Sequence, residues 1–181
     1  MTIYKICIFL ITYLICSVNP AIIVCKLKTG EDIRKLGSGN AGSANAMRVL
    51  GKPLGILVIV CDILKVFIAY AFVFIIGKIF RQDTMYILKS VFVIAAIGGH
   101  CYPLYYKFKG GKGVIVGMTV AFILDYKIAF ICTVIGLVII LVTRMVAMGT
   151  FLRNPCLCVI YDIYCKRIYH SNSYFMFCNY V

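Results

Sequence analysis

The chain has 181 residues, of which 63% are hydrophobic and 14% charged, and its mean hydropathy is +1.00. A soluble globular domain carries about 25% charged residues, so the composition excludes an ordinary water-soluble protein and predicts an integral membrane protein. The net charge of +13 comes from 19 Lys and Arg against six Asp and Glu. Most of these cations lie in short loops between apolar segments. This distribution is typical of residues that set the orientation of a membrane protein, and it argues against nucleic-acid binding.

Long apolar runs predict an all-α, polytopic helical bundle with five clear membrane spans, a sixth or seventh being left open. A span needs about 20 apolar residues, and the first run is too long for a signal sequence and lacks a cleavage site. Short turns join the second helix to the third and the fourth to the fifth. The predicted helices cover residues 6–25, 54–76, 85–101, 114–124 and 128–142.

The loops between these helices differ strongly in charge. One side has six basic residues in residues 26–53, three in 102–113 and four from Arg144 onward. The other side has Lys5, Lys78, Arg81 and Lys127. Since Lys and Arg collect on the cytoplasmic side of a membrane, we expect both basic loops in the cytoplasm and the N-terminus outside.

The character of the chain changes near residue 150. Residues 155–181 contain four of the ten cysteines and five of the 13 tyrosines, without a run long enough to span a membrane. We therefore divide the chain into a membrane bundle, residues 1–150, and a divergent tail, residues 151–181. Five of the ten cysteines lie in or at the edge of apolar runs, and Cys156 and Cys158 have a C-x-C spacing without paired histidines. Neither disulfides, a metal site nor a cofactor is therefore expected.

The stretch GSGNAGSANAMR, residues 37–48, is almost entirely small or polar. Glycine lets a backbone turn through positive φ and approach an anion closely, and successive N–H groups form an anion-binding nest. Arg48 adds a guanidinium that matches phosphate. We predict an anion cradle, with a flexible turn and helix cap as the alternative. Its other candidate members are Ser38, Gly39, Asn40, Gly42 and Asn45.

A second glycine-rich stretch, FKGGKGV, lies directly before the fourth predicted helix. A helix N-terminus carries unpaired N–H groups and partial positive charge, which suits a phosphate. The pattern G-x-x-x-x-G-K-[ST] is absent, so nucleotide hydrolysis is disfavoured, and a basic interfacial turn is the alternative. The candidate phosphate-binding residues here are Lys109, Gly110, Gly111, Lys112 and Gly113.

Asp62 and Lys65 are charged residues inside the second predicted helix, and their spacing of three places them on one face. Charges at membrane depth are costly and usually face the bundle interior. The pair is either a structural ion pair or the means by which Lys65 reaches a substrate phosphate. A small transporter also buries such charges, but it predicts charges on several helices and no paired glycine loops.

Two signatures in the chain resemble those of the bacterial acyl-phosphate:glycerol-3-phosphate acyltransferases of the PlsY type. SGNAGSANAMR is similar to S-G-N-x-G-A-T-N-x-x-R, and GHCYPLYYKFKGGKGV is similar to G-H-x-F-P-V-F-x-x-F-K-G-G-K-G-V. The resemblance implies a seven-helix bundle in the bacterial inner membrane that transfers a fatty acyl group from acyl phosphate to the 1-hydroxyl of glycerol 3-phosphate. It also implies membrane-lipid surroundings and a partner enzyme that produces acyl phosphate.

The resemblance assigns roles to individual residues. Ser38 and Arg48 match positions needed for catalysis, and the glycines of the second loop match the glycerol-phosphate site. No His or Asp lies near Ser38 in sequence to activate it, so we interpret it as a phosphate or oxyanion donor, with a nucleophile as the alternative. His100 is a candidate general base, with a residue that closes a helix end as the alternative.

A third signature of the family, H-x-x-N-I-x-R followed by a glutamate, is not matched in the tail. His170 is present, but Ser173 occupies the asparagine position. The alternative function is therefore an inactive copy of the enzyme that acts as a membrane binding or scaffold protein.

Overall fold

The computed structural model describes residues 3–79 and 85–143. The predictions for residues 80–84 and for the C-terminal tail, with Cys156, Cys158 and His170, lie outside the described residues. All regular secondary structure within the described ranges is helical. The helices are α1 Ile3–Ser17, α2 Pro20–Thr29, α3 Ser43–Leu50, α4 Lys52–Ile79, α5 Met85–Cys101, α6 Val114–Leu124 and α7 Tyr126–Thr143.

Two stretches are long and apolar enough to cross a membrane. They are Ile3–Thr29, with a mean hydropathy of 2.2, and α4, with a mean hydropathy of 2.5. Large apolar side chains such as Phe67, Ile68 and Ile75 are exposed along α4. In water such a surface is unfavourable, whereas in a bilayer it meets lipid, so the exposed side chains fit the membrane protein that the composition predicts.

The first predicted helix, residues 6–25, lies within the apolar stretch Ile3–Thr29, which the structure divides into α1 and α2 just before Pro20. Asn19 has an extended backbone and caps α2 by accepting a hydrogen bond from the N–H of Ile22 at 3.2 Å. Proline is the first residue of α2, where its missing N–H costs nothing. The Asn-Pro pair therefore ends one helix and starts the next inside a long apolar stretch.

Residues 43–50 form a helix, α3, inside what the sequence predicts to be a polar loop. Most residues from Ser43 to Leu50 are compatible with a helix by intrinsic preference, and Gly51 ends it with a φ of 86°. The helix packs closely on α4, since a Cβ on Gly55 would lie 2.8 Å from the Cα of Met47. Only the first half of the predicted cradle is therefore a loop, and Arg48 lies in the last turn of a helix.

The chain divides into two compact units, Met1–Val120 and Ala121–Val181. In the first unit α1 packs against both α4 and α5, and Ile8, Val66 and Phe92 are fully buried in its core. In the described part of the second unit, Asp125 begins α7 by accepting a hydrogen bond from the N–H of Lys127 at 2.9 Å. All residues predicted to belong to the site lie in the first unit.

Candidate phosphate-binding site

The first glycine loop is held in shape by Asn45, whose side chain is buried. Its Nδ2 donates to the carbonyl oxygens of Leu36 and Asn40 at 3.0 Å each, and to that of Ile33 at 3.3 Å. Its Oδ1 accepts from the backbone N–H of Ser38 at 2.9 Å. The Asn45 amide is thus occupied by the loop backbone, and it shapes the loop rather than contacting a ligand directly.

Two glycines give this loop its path. Gly37 and Gly39 have φ values of 58° and 72°, in the left-handed region that side chains disfavour. A Cβ on Gly37 would also overlap Asn45 Oδ1. The loop leaves the side chains of Ser38 and Arg48 exposed, and within residues 3–79 and 85–143 Arg48 forms no ion pair. Its positive charge therefore has no acidic partner among the described residues.

The second glycine loop folds back onto the end of α5. The N–H of Gly110 donates to the carbonyl of Cys101 at 3.1 Å, and that of Gly111 to the carbonyl of His100 at 3.2 Å. A Cβ on Gly110 would overlap the His100 carbonyl oxygen and lie 2.6 Å from Cδ of Pro103. Only glycine permits this close packing of backbone on backbone. The loop ends at Gly113, immediately before α6, and its exposed cations are Lys107, Lys109 and Lys112.

The two loops lie against each other. The position that a Cβ on Gly111 would take is 3.0 Å from the carbonyl oxygen of Ala41, in the first loop. Arg34 joins them a second time, because its Nη1 donates to the carbonyls of Tyr106 at 2.8 Å and Lys109 at 3.2 Å. The convergence that the sequence predicts for the two glycine loops is therefore present in the structure.

Arg34 is a residue of this region that sequence reasoning missed. Its guanidinium is fixed by Asp32, with Nε at 3.0 Å from both carboxylate oxygens and Nη2 at 2.5 Å from Oδ2. These hydrogen bonds from Arg34 lower the pKa of the Asp32 carboxyl below its usual value, so the pair stays ionised near neutral pH. The only signal in the sequence was an acid two positions before an arginine.

The interruption between α1 and α2 supports both the loop and the buried charges. Asn19 Nδ2 donates to the Ala41 carbonyl at 3.1 Å, which anchors the first loop to α2. Lys65 Nζ donates to the Val18 carbonyl at 2.8 Å, one of the backbone oxygens that an interrupted helix leaves without an intrahelical partner. The break is therefore connected to α4 as well as to the first glycine loop.

Asp62, Lys65 and His100 form a buried polar cluster beneath the loops. Lys65 Nζ lies 2.8 Å from Asp62 Oδ1 and 3.0 Å from His100 Nδ1, and His100 Nδ1 lies 3.5 Å from Asp62 Oδ1. All three side chains are less than 10% exposed. Asp62 and Lys65 thus form an ion pair, which is one of the two interpretations that the sequence left open. The pair is in direct contact with His100, the histidine of the second signature.

The predicted site residues therefore fall into three groups. The exposed polar and basic side chains are Ser38, Arg48, Lys109 and Lys112. The loop backbone is formed by Gly39, Asn40, Gly42, Gly110, Gly111 and Gly113. The buried side chains beneath the loops are Asn45, Lys65 and His100.

Comparison with known proteins decides the family. Residues 6–180 match the family model described as glycerol-3-phosphate acyltransferase. The chain belongs to the glycerol-3-phosphate acyltransferase family. The matched range includes both glycine loops and the buried Asp62–Lys65–His100 cluster, and it extends into the C-terminal tail.

Individual members of the family give the same assignment. The chain is 38% identical over 147 residues to glycerol-3-phosphate acyltransferase 2 of Lactobacillus acidophilus, covering 80% of this chain and 66% of that protein. It is 35% identical over 160 residues to the glycerol-3-phosphate acyltransferase of Ureaplasma urealyticum, covering 82% and 62%. The match therefore spans slightly less than two thirds of these relatives.

A solved structure within the family has a similar fold. The crystal structure of PlsY, an integral membrane glycerol 3-phosphate acyltransferase, in its glycerol 3-phosphate form is similar with a TM-score of 0.73 at 32% sequence identity. The similarity covers 88% of this chain and 77% of that chain. A second crystal structure of PlsY, in its lysophosphatidic acid form, is similar with a TM-score of 0.70. This family therefore combines a membrane location with the helical fold described above.

Proposed function

We propose that this protein transfers a fatty acyl group from acyl phosphate to the 1-hydroxyl of glycerol 3-phosphate, giving lysophosphatidic acid for phospholipid synthesis. The observation that carries the proposal is the contact between the two glycine loops, at Ala41 and Gly111. The loops bring exposed cations together with backbone N–H groups in one region of the fold. Both proposed substrates carry a phosphate, the chemical group that such a region binds.

The proposed reaction is a direct displacement at the acyl carbon. The 1-hydroxyl oxygen of glycerol 3-phosphate forms a bond to that carbon, and the bond from the carbon to the phosphate oxygen breaks. Inorganic phosphate leaves and takes up the hydroxyl proton, so the step needs neither a covalent enzyme intermediate nor a cofactor. Holding two phosphorylated reactants in reacting geometry can supply several of the roughly 7–11 kcal/mol available from orientation.

The residues take different parts in this proposal. Arg48, Lys109 and Lys112 attract and orient the phosphates, and they offset the charge that develops on the leaving group. Ser38 donates a hydrogen bond to a phosphate or to the acyl oxyanion. The loop glycines let backbone N–H groups approach the anions, while Asn45 maintains the shape of the first loop.

The location of the site follows from the charge distribution. We place the protein in the bacterial cytoplasmic membrane as a multi-pass bundle, with its N-terminus outside and both glycine loops on the cytoplasmic side. The substrates then arrive from the cytoplasm, where an acyl-phosphate-producing enzyme is a suitable partner. In this proposal residues 1–150 supply the bundle, and residues 151–181 are a tail whose sequence diverges from the family signature.

Turnover by the purified protein tests this proposal. In detergent micelles with palmitoyl phosphate and glycerol 3-phosphate, we expect lysophosphatidate and inorganic phosphate to form in equal amounts, and neither to form when glycerol 3-phosphate is omitted. The exposed Lys26, which belongs to α2 and not to the glycine loops, offers a matched control, since Lys26→Ala removes a cation outside the site. A folded protein that binds both substrates without forming product would support the inactive binding protein instead.

A further inference from the structure

His100 lies directly beneath the junction of the two glycine loops. It occupies the last turn of α5 and is 4% exposed. One edge of its imidazole ring, Nδ1, faces the charged pair on α4. The opposite edge faces the second loop, because a Cβ on Gly111 would overlap His100 Nε2 and lie 3.1 Å from Cε1. The ring therefore joins the buried cluster to the loops.

Lys65 determines which nitrogen of His100 carries the proton. A lysine ammonium has three donors and no acceptor, and lysine is the stronger base of the two side-chain types. At 3.0 Å from Lys65 Nζ, His100 Nδ1 must therefore act as the acceptor. Asp62 Oδ1 is farther away, at 3.5 Å, beyond the length of about 2.7–2.9 Å typical of a charge-assisted hydrogen bond. The ring is then neutral, with its proton on Nε2.

The Nε2 edge of the ring lies against Gly111 of the second glycine loop. Gly111 in turn lies against the first loop, since its added Cβ would be 3.0 Å from the carbonyl oxygen of Ala41. Among the hydrogen bonds of residues 3–79 and 85–143, none involves His100 Nε2. His100 Nε2 is not among the fully buried, unpartnered side-chain atoms of the described residues, so it keeps some exposed surface at the glycine loops, where a ligand oxygen can accept its hydrogen bond.

We infer that His100, held as the Nε2–H tautomer by Lys65, donates a hydrogen bond to a phosphoryl oxygen of a substrate bound between the glycine loops. This inference rests on the proposed function. It replaces the role of general base for His100, because Nδ1 is occupied by Lys65 and Nε2 already carries a proton. Lys65 is then a positioning residue that acts through the histidine, and it does not itself contact phosphate.

Two amide substitutions of His100 test the roles of its two ring nitrogens separately. In His100→Asn the amide occupies the position of Nδ1, which keeps an acceptor for Lys65 and removes the Nε2–H donor. In His100→Gln the amide reaches the position of Nε2 and can still donate there. We expect His100→Asn to raise the KM of the contacted substrate by about 10- to 100-fold, as for loss of a hydrogen bond to a charged group, and His100→Gln to raise it several-fold less.

Measuring KM for each substrate shows which of the two supplies the phosphoryl oxygen that His100 contacts. A rise confined to the KM of glycerol 3-phosphate assigns the contact to its phosphate, and a rise confined to palmitoyl phosphate assigns it to the acyl donor. Equal loss of kcat in both variants, with both KM values unchanged, would indicate a general base and overturn the inference. Equal loss of thermal stability with no difference in KM between the variants would indicate packing alone and also overturn it.

Histidine nitrogen NMR tests the tautomer without any turnover. The expected spectrum of the ¹⁵N-histidine-labelled protein shows a protonated Nε2 and an unprotonated Nδ1 for His100, assigned by the signals that disappear in His100→Asn. A protonated Nδ1 with a bare Nε2 would refute the inference. If the wild-type protein binds glycerol 3-phosphate but has no turnover, the proposed function fails, and equilibrium binding to the two variants still tests the donor.

Discussion

Replacing Gly110 by alanine is expected to lower kcat/KM for glycerol 3-phosphate by about 100-fold, because a displacement of about 1 Å in a binding loop can cost that much. The added Cβ would overlap the His100 carbonyl oxygen and lie 2.9 Å from the Cys101 carbonyl oxygen. These are backbone atoms at the end of α5, so they cannot move aside as a flexible side chain can. The second loop must therefore shift away from α5 and from the first loop.

Gly98→Ala is the matched control for Gly110→Ala. Gly98 lies in the same helix end, but a Cβ on it would meet nothing within 4 Å. We expect kcat/KM close to wild type in this variant, and thermal stability in detergent measured in parallel shows whether each protein is folded. A folded Gly110→Ala protein with kcat/KM within a few-fold of wild type would contradict the close packing of the second loop.

The buried cluster predicts the second large effect, on stability. Asp62→Ala leaves the Lys65 ammonium buried without its carboxylate, and breaking one partner of a buried ion pair typically costs about 3–5 kcal/mol. Replacing both charges by apolar residues avoids the unpaired charge. We therefore expect the double variant, Asp62→Ala with Lys65→Met, to be about 2 kcal/mol more stable than the sum of the single effects implies.

The wild type, the two single variants and the double variant form a double-mutant cycle. Denaturant titration of these four proteins in detergent micelles measures the coupling between Asp62 and Lys65. Lys78→Met removes an exposed cation from the other end of α4 and serves as the control for loss of a lysine. Strictly additive losses of unfolding free energy would show that Asp62 and Lys65 do not interact, and the ion pair would then have no part in fixing His100.

Sequence periodicity and local motifs predicted the long helices well. The predicted helix over residues 85–101 coincides with α5, because an apolar run is followed there by a polar loop that opens on Pro103. The spacing of Asp62 and Lys65 was sufficient to predict a shared face. The two glycine loops were predicted as one anion-binding region because both have glycines and cations on the same expected side of the membrane.

Three features were not predictable because their causes are tertiary. Residues 43–50 form a helix that packs on α4, although Ser43 and Asn45 are residue types that favour caps and turns. Arg34 binds carbonyl groups 72 and 75 residues away, and backbone acceptors leave no trace in sequence. Asn45 lies in a signature rich in polar groups, and the sequence does not reveal that its amide faces inward.

Equilibrium binding of radiolabelled glycerol 3-phosphate tests most directly whether both loops belong to one phosphate site. Arg48→Ala changes the helix that follows the first loop, and Lys112→Ala changes the second loop. With Lys26→Ala as the control, we predict a single bound molecule per chain and about 10-fold or greater loss of affinity from each of the two substitutions. Loss of affinity from only one of them, in proteins that remain folded, would contradict a shared site.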